Sequence, residues 1–124
     1  PSLDTSSRDR SIIEHILGYC NDINTTHTEF EVCRERFLSS RTYQNAIGMC
    51  ILQIGELIKH LSPEFTQSHP QIDWRAAARA RDTYAHHYGR IDFDIAWDTS
   101  TTVVKMLDVF CNNYLSDNAA HQNP

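Results

Sequence analysis

The sequence predicts an all-α fold, an up-and-down bundle of four long helices with one or two short ones. Glycine and proline each occur four times in 124 residues. Apolar residues recur at intervals of three and four over long segments, and no stretch shows the strong two-residue alternation of a strand. This length fits one domain, with a core over about residues 7–115 and a frayed tail over residues 116–124.

The first part of the chain is expected to form one long and one shorter helix. Apolar residues follow the 3.6-residue period over Ser7–Asn24, which predicts an amphipathic helix. Residues 25–28 are expected to form a loop that ends in a cap, and a shorter helix follows over Glu29–Leu38. The side chains expected to face the core are Ile12, Ile13, Ile16, Leu17, Cys20 and Ile23 in the long helix, and Phe30, Cys33 and Phe37 in the shorter one.

The third predicted helix carries two glycines on one face. Ser39-Ser40 can cap this helix, and its apolar stripe extends over Arg41–Leu61. Gly48 and Gly55 are seven residues apart, so they lie on nearly the same side of a helix. Because glycine lowers helix stability, this spacing favours the close approach of another backbone. The alternative is that the helix simply tolerates both residues.

Turn and cap signals divide the second half of the chain. Ser62-Pro63 is typical of a helix start, and His69-Pro70 ends that helix after a turn or two. Asp73 is placed to cap a fourth long helix, which begins at Trp74, is rich in alanine and should end near Gly89. The last helix is expected over roughly Phe93–Leu115, after the cap residue Asp92.

The net charge and its distribution limit the partners of this chain. The formal net charge is −5 at pH 7, which argues against a protein that coats nucleic acid non-specifically. The segment from residue 74 to 90 differs, because it contains four arginines and one acid. A basic patch on an acidic body suits a local anionic ligand, such as a phosphate, or an acidic partner surface. The arginines are Arg75, Arg79, Arg81 and Arg90, and the acid is Asp82.

The cysteines and the N-terminal residues favour a cytoplasmic protein without a metal or another cofactor. The cysteines form no CxxC pair and lie among apolar residues, which predicts reduced, buried thiols. The close ligand pairs of a zinc site are missing. No apolar run approaches the ~20 residues that span a bilayer, and residues 1–10 are too polar for a signal peptide. The four cysteines are Cys20, Cys33, Cys50 and Cys111.

Arg81, His86 and Tyr88 form the strongest candidate site. Arginine can hold a phosphate through two parallel hydrogen bonds, and histidine moves protons near neutral pH. Phosphodiester cleavage needs a base for the ribose 2′-hydroxyl, an acid for the leaving oxygen and a cation for the charged transition state. The alternative is structural, because a histidine at a helix C-terminus can simply interact with the helix dipole and exposed arginines are usually solvated.

The spacing within this segment raises a geometric difficulty. Positions five apart in an α-helix diverge by about 140°, so Arg81 and His86 do not share a face, whereas Tyr88 realigns with Arg81. Either the helix distorts before Gly89, or a second copy of the chain completes the site across a two-fold axis. The second arrangement would place two arginines and two histidines around one cleft.

The segment from Arg81 to Tyr88 is an R-x4-H-x-Y motif, and it resembles the HepT-like branch of the HEPN superfamily. The resemblance extends over about residues 7–115, because other segments are similar to those of the family in the same order. These segments are Arg8-Asp9-Arg10 with His15-Ile16, Ile54-Gly55-Glu56 with Lys59 and Leu61-Ser62, His69-Pro70-Gln71-Ile72-Asp73-Trp74, and Asp92 with Trp97.

The resemblance implies an all-α homodimer with a metal-independent endoribonuclease site at its interface, where Arg81 and His86 are catalytic. It also implies a toxin whose partner is a small nucleotidyltransferase antitoxin. That partner would transfer AMP to Tyr88, and a bulky anion there would keep RNA out of the cleft. The residue after the motif arginine is commonly asparagine in this family and here is Asp82, which either orients Arg81 or His86 or weakens phosphate binding. His87 is the alternative proton carrier, but His86 matches the motif.

Two other functions fit the same residues. The helical dimer can be a non-catalytic subunit that binds a nucleotidyltransferase and presents a substrate or Tyr88 to it. It can also be a structural scaffold without an active cleft. The three hypotheses differ in whether RNA is cleaved, and in whether substitution of Arg81 and His86 changes any phenotype.

Overall fold

The four long helices pack side by side in the order Val104–Gln122 (α7), Thr5–Glu29 (α1), Arg41–Lys59 (α3) and Trp74–His86 (α5). The computed structural model describes the backbone of residues 5–86 and 91–122 and the side chains of residues 5–84 and 91–117. Within these residues every regular element is helical, which confirms the predicted all-α class. The elements are α1 (Thr5–Glu29), α2 (Arg34–Ser39), α3 (Arg41–Lys59), α4 (Pro63–Ser68), α5 (Trp74–His86), α6 (Phe93–Asp98), a π-helical turn (Thr99–Val103) and α7 (Val104–Gln122).

Helix α1 is longer than predicted, because the expected loop over residues 25–28 is helical. The hydroxyl of Thr26 donates to the carbonyl of Asp22 at 2.8 Å, and that of Thr28 donates to the carbonyl of Asn24 at 3.0 Å. These bonds to carbonyls four residues back are the alternative to capping for a threonine. The predicted loop is therefore wrong, and the threonines lie inside the last turns of α1.

A buried histidine explains why α1 continues. His27 is 5% exposed, and its two ring nitrogens contact the hydroxyls of Tyr43 and Ser100. Ser100 donates its own proton to the carbonyl of Trp97 at 3.1 Å, so it accepts from His27 Nε2–H. Burial raises the pKa of Tyr43, so its phenol keeps its proton and donates to His27 Nδ1. One directed chain of hydrogen bonds therefore joins α3, α1 and the π-helical turn.

The predicted helix over Glu29–Leu38 is also wrong in its first half. Glu31 and Val32 have φ values of 62° and 48°, and Val32 N–H donates to the carbonyl of His27 at 2.7 Å. This arrangement terminates α1 and reverses the chain, so helix α2 begins at Arg34. Cys33 lies in the connection and is half-buried, so the expectation of four buried cysteines fails at this position.

The cap residues of the middle helices are confirmed. Ser40 accepts from Tyr43 N–H at 3.2 Å at the start of α3, and Ser62 accepts from Phe65 N–H at 3.1 Å at the start of α4. Helix α3 ends at Lys59, slightly before the predicted Leu61. The carboxylate of buried Asp9 accepts from the backbone N–H of Ser62 at 2.9 Å and from its hydroxyl at 2.6 Å, which ties α1 to the start of α4.

The predicted last helix is interrupted and longer than expected. Asp92 caps α6 by accepting from Asp94 N–H at 2.9 Å, as predicted. The π-helical turn over Thr99–Val103 then separates α6 from α7, and α7 continues to Gln122 rather than ending at Leu115. The turn places Ser100 in the interior, where it is 1% exposed and contacts His27 of α1. No helix in residues 5–86 and 91–122 is both long and apolar enough to cross a bilayer.

Candidate active site

The start of the motif helix α5 is fixed by two contacts. Asp73 accepts from Ala76 N–H at 2.9 Å, which confirms it as the cap residue. The side chain of Trp74 is buried, and its indole Nε1–H donates to the carbonyl of His69 at 2.9 Å. Asp73 therefore sets where the helix begins, and the bond of Trp74 to the preceding segment sets how the helix is rotated.

Two glycines of α3 allow α5 to approach closely, as predicted. A Cβ built on Gly55 would lie 2.1 Å from Cβ and 3.3 Å from Cα of Arg81. A Cβ built on Gly48 would lie 2.9 Å from Cε1 of the buried Tyr84 ring. Real Cβ atoms do not come this close to another carbon, so the contact between the two helices depends on glycine at both positions.

Arg81 is tethered to α3 and remains partly open to solvent. Its Nε lies 3.3 Å from Oε2 of Glu56, and its Nη1 donates to Oδ1 of Asp82 at 3.3 Å. The side chain is 28% exposed. Because a guanidinium has five N–H donors, these two carboxylates leave donors for a further anion.

Asp82 is held by two cations. Lys59 Nζ donates to Asp82 Oδ1 at 2.5 Å, and Arg81 contacts the same oxygen. The Lys59 ammonium, chiefly through its hydrogen bond, and the Arg81 guanidinium together hold the pKa of the Asp82 carboxyl below its usual range. Of the roles considered for Asp82, the structure shows a contact with Arg81, while a contact with His86 falls outside the described side chains.

His86 is the last described backbone position of α5, and its side chain is not described. The other motif residues, His87 and Tyr88, lie outside the described residues altogether, as does the predicted stop at Gly89. The roles of these residues therefore stay predictions. The described part of α5 is a regular α-helix from Trp74 to His86, so backbone positions 81 and 86 lie about 140° apart around its axis.

Position 86 falls on a row along α5 that contains Arg75, Arg79 and Asp82. Positions 75, 79, 82 and 86 lie within about 60° of one another around an α-helix. Arg75 and Arg79 are exposed, whereas Arg81 lies against α3. The motif helix therefore presents two sides, one with Arg81 at the α3 contact and another with two exposed arginines and the position of His86.

Glu56 and Lys59 are functional candidates that reasoning from single residues missed. Both residues belong to a segment that resembles the family, but the sequence alone assigned neither of them a function. In the structure they contact the two adjacent motif residues Arg81 and Asp82. The Gly48 and Gly55 pattern was the available signal, because it predicted a close partner on this face of α3.

A large cavity among the described residues lies away from the motif. It has a volume of about 880 Å³ between α7 and the segment before α5, and residues such as Ile72, Met106 and Phe110 line it. Neither Arg81 nor Asp82 borders it. Among the described residues, no group of three or more His, Cys, Asp and Glu side chains is arranged to hold a metal ion.

Comparison with known proteins identifies the family. The family model described as "Ribonuclease HepT-like" matches residues 11–114. "Putative RNase MJ0127" of Methanocaldococcus jannaschii is 38% identical over 86 residues, which cover 69% of this chain and 64% of that protein. "Probable ribonuclease HepT" of Thermococcus cleftensis is 38% identical over 69 residues, which cover 56% of this chain and 63% of that protein.

A third relative is similar over most of the chain. "Putative RNase TTE0752" of Caldanaerobacter subterraneus is 30% identical over 96 residues, 73% of this chain and 79% of that protein. The chain spans less than two thirds of the two archaeal relatives. No solved structure gives a significant match. The family model covers most of the sequence, and the resemblance of the motif segments is thereby confirmed: the chain belongs to the HepT-like ribonuclease family.

Proposed function

We propose that this protein is a metal-independent endoribonuclease whose catalytic residues are Arg81 and His86. The observation that carries the proposal is the state of Arg81, which α3 and Asp82 hold in place while it keeps N–H donors and partial exposure. A preorganised cation of this kind suits the charge that develops on a phosphate during cleavage. Family membership supplies the reaction class.

The reaction divides between a proton carrier and a cation. A base removes the proton of the ribose 2′-hydroxyl, the 2′-oxygen attacks phosphorus, and the bond to the 5′-oxygen breaks. An acid then protonates the departing 5′-oxygen. His86 serves as the proton carrier, with His87 as its alternative. Arg81 stabilises the phosphate charge, and Tyr88 binds RNA or assists.

A homodimer is part of the proposal, because one copy separates its two catalytic positions. Arg81 is directed to α3, and position 86 lies about 140° away on the side with Arg75 and Arg79. A two-fold axis would bring the histidine of one copy towards the arginine of its partner. The exposed arginines would then line the approach and contact backbone phosphates, although the whole chain carries a net charge of −5.

Cleavage of RNA in the presence of a chelator tests the activity. Arg81→Ala should lower the cleavage rate by about 10²-fold or more, and His86→Ala by about 10²-fold to 10⁴-fold. His15→Ala is a matched control, because His15 is exposed on α1 and bonds its own helix at Ser11. A wild-type protein that binds RNA or a transferase without cleaving any RNA would instead make it a binding subunit.

Mixing two inactive variants tests the shared site. If each site takes Arg81 from one copy and His86 from the other, a random mixture of Arg81→Ala and His86→Ala chains regains about a quarter of wild-type activity. Half of the dimers are then mixed, and each mixed dimer has one intact site of two. No recovery after denaturation and joint refolding would contradict a site composed in this way.

The proposal extends to a toxin of the cytoplasm that a small nucleotidyltransferase antitoxin neutralises. Transfer of AMP from ATP to the Tyr88 hydroxyl, with loss of the phenol proton and departure of pyrophosphate, would add a bulky anion two residues from His86 and compete for Arg81. Mass measurement after coexpression with such a transferase should show the mass of one AMP on the peptide containing Tyr88, and none in Tyr88→Phe. An unmodified Tyr88 in a neutralised, coexpressed complex would contradict this form of control.

A further inference from the structure

A short stretch of α3 contacts both residues at the head of the motif. Gly55 lies under the stem of Arg81, Glu56 contacts its guanidinium, and Lys59 contacts Asp82. We propose that Glu56 and Lys59 are positioning residues that fix the Arg81 guanidinium for phosphate. This inference rests on the proposed function, and the experiment below separates the two.

The stem of Arg81 has no room to move towards α3. The missing side chain of Gly55 leaves Cβ and Cγ of Arg81 directly against the α3 backbone, where an added Cβ would lie 2.1 Å and 2.9 Å from them. The stem therefore leaves the helix in one direction. What remains free is rotation of the outer bonds, and the two carboxylates restrict it.

Glu56 engages the inner edge of the guanidinium. Its Oε2 lies 3.3 Å from Arg81 Nε, and its Oε1 lies 3.5 Å from His60 Nε2. With both oxygens of Glu56 facing a nitrogen, the carboxylate has a defined orientation. It leaves the outer edge of the guanidinium, where Nη1 also contacts Asp82 and where a phosphate can pair with two parallel N–H groups.

Lys59 limits how Asp82 pairs with that outer edge, which Asp82 contacts only at Nη1. A carboxylate beside an arginine tends to pair with it through both oxygens, which would occupy the donors that phosphate needs. Lys59 contacts Asp82 Oδ1 at 2.5 Å, against 3.3 Å from Arg81 Nη1. The shorter contact holds Asp82 by a single oxygen and keeps its charge neutralised.

A structural role would predict a different outcome from a positioning role. Glu56 is 47% exposed, Lys59 is 36% exposed and Asp82 is 45% exposed. Ion pairs at such exposure contribute little to folding. Substitutions of Glu56 and Lys59 should therefore leave the urea midpoint of unfolding unchanged and alter cleavage alone.

Steady-state cleavage by the Glu56→Gln variant of this chain is the first measurement. The turnover number kcat should fall about tenfold, from loss of orientation of Arg81, with KM changed less than about twofold. Glu14→Gln is the matched control, because Glu14 Oε1 also lies 3.3 Å from an arginine Nε, that of Arg10 on α1. In an Arg81→Ala background, Glu56→Gln should have no further effect, and additive losses would overturn the inference.

Lys59→Met tests the other half of the proposal. Asp82 should then pair fully with Arg81 and raise KM for RNA about tenfold, and Asp82→Asn in the same chain should reverse most of this increase because an amide carries no charge. Failure of Asp82→Asn to restore KM would contradict the role assigned to Lys59. The reversal would support it if Asp82→Asn in a chain that keeps Lys59 lowers KM by clearly less, because a general gain from losing one negative charge would appear equally in both chains.

A measurement without RNA separates this inference from the nuclease proposal. The ¹H–¹⁵N heteronuclear NOE of the Arg81 Nε–H group reports its mobility, and the signal is assigned by its loss in Arg81→Ala. It should be high in the wild type and in Glu14→Gln, and clearly lower in Glu56→Gln. This pattern in a protein that cleaves no RNA would refute the nuclease and support the positioning. An Arg81 signal that is equally mobile in all three proteins would overturn the positioning.

Discussion

Replacing each of three helical glycines by alanine gives an ordered series of stabilities. Gly18 lies in the middle of α1, and a Cβ there would have no atom within 4 Å. At Gly48 the new atom would lie 2.9 Å from the Tyr84 ring, and at Gly55 it would lie 2.1 Å from Cβ of Arg81. The same chemical change therefore meets open space, a ring and the root of a side chain.

The expected magnitudes follow from two opposing terms. Alanine stabilises a helix interior by about 1 kcal/mol relative to glycine, so Gly18→Ala should gain about that amount. At Gly48 the ring must shift within the core, at a cost of about 1–2 kcal/mol that leaves the variant within about 1 kcal/mol of wild type. At Gly55 the helices themselves must separate, and we expect a net loss of about 2 kcal/mol or more.

Urea and thermal unfolding followed by circular dichroism measure the series. A change of 1 kcal/mol should shift the midpoint by about 4 °C in a chain of this size. All samples need one protein concentration, because a dimer makes the midpoint concentration-dependent. A Gly55→Ala protein that unfolds at or above the midpoint of Gly18→Ala would refute the close packing of α3 on α5.

Three further predictions concern the buried polar and thiol groups. Burial lowers the pKa of His27 from 6.5, so the unfolded chain binds its proton first as pH falls. Wild-type stability should therefore decline below pH 6.5, by at most about 1.4 kcal/mol per pH unit, and an equal decline in His27→Gln would contradict this origin. Asp9→Ala should cost about 1–3 kcal/mol in urea unfolding, since it leaves the partly buried Ser62 N–H without its acceptor, and an unchanged stability would contradict the role of Asp9 in anchoring α4. Burial raises the pKa of Cys50 to about 11 and that of Cys111 to about 12, so a thiol reagent should label the half-buried Cys33 first in the native protein, whereas rapid labelling of all four would contradict this order.

Helix periodicity predicted the four long helices but misplaced the end of the first one. The sequence around Thr26 and Thr28 fits both a cap and the last turns of a helix, because a threonine hydroxyl bonds to either. The choice depends on His27, whose partners Tyr43 and Ser100 lie 16 and 73 residues away. Local patterns carry no information on contacts of that range, so the prediction failed there.

The interruption of the last helix has the same cause. The residues over Thr99–Val103 are compatible with a continuous α-helix, and nothing in their spacing predicts a π-helical turn. The turn places Ser100 against His27, and Thr101 donates its hydroxyl to the carbonyl of Trp97 at 2.8 Å. The partner of the segment, rather than its own composition, decides its geometry.

The candidate site was predictable in part. The motif gave Arg81 and Asp82, and glycine spacing indicated a close helix partner. The pairing of Lys59 with Asp82 joins residues 23 positions apart on different helices, and only the rotation of α5 against α3 decides it. That rotation depends on packing at Gly48 and Gly55. The two glycines predict which face of α3 contacts α5, but they do not predict which polar side chains pair there.

The sequence segments that resemble the family contact one another within a single copy of the chain. Asp9 of the first segment binds Ser62 at the end of the second, and the third segment anchors the indole of Trp74 at the start of α5. In the second segment, Gly55 packs against the side-chain stem of Arg81 and Glu56 contacts its guanidinium. One copy thus contains all the observed contacts of Arg81, which is the arginine half of the proposed site. If the proposed dimer forms, the partner copy has only to place its His86 beside Arg81. Mixed dimers of the two inactive variants test that arrangement directly.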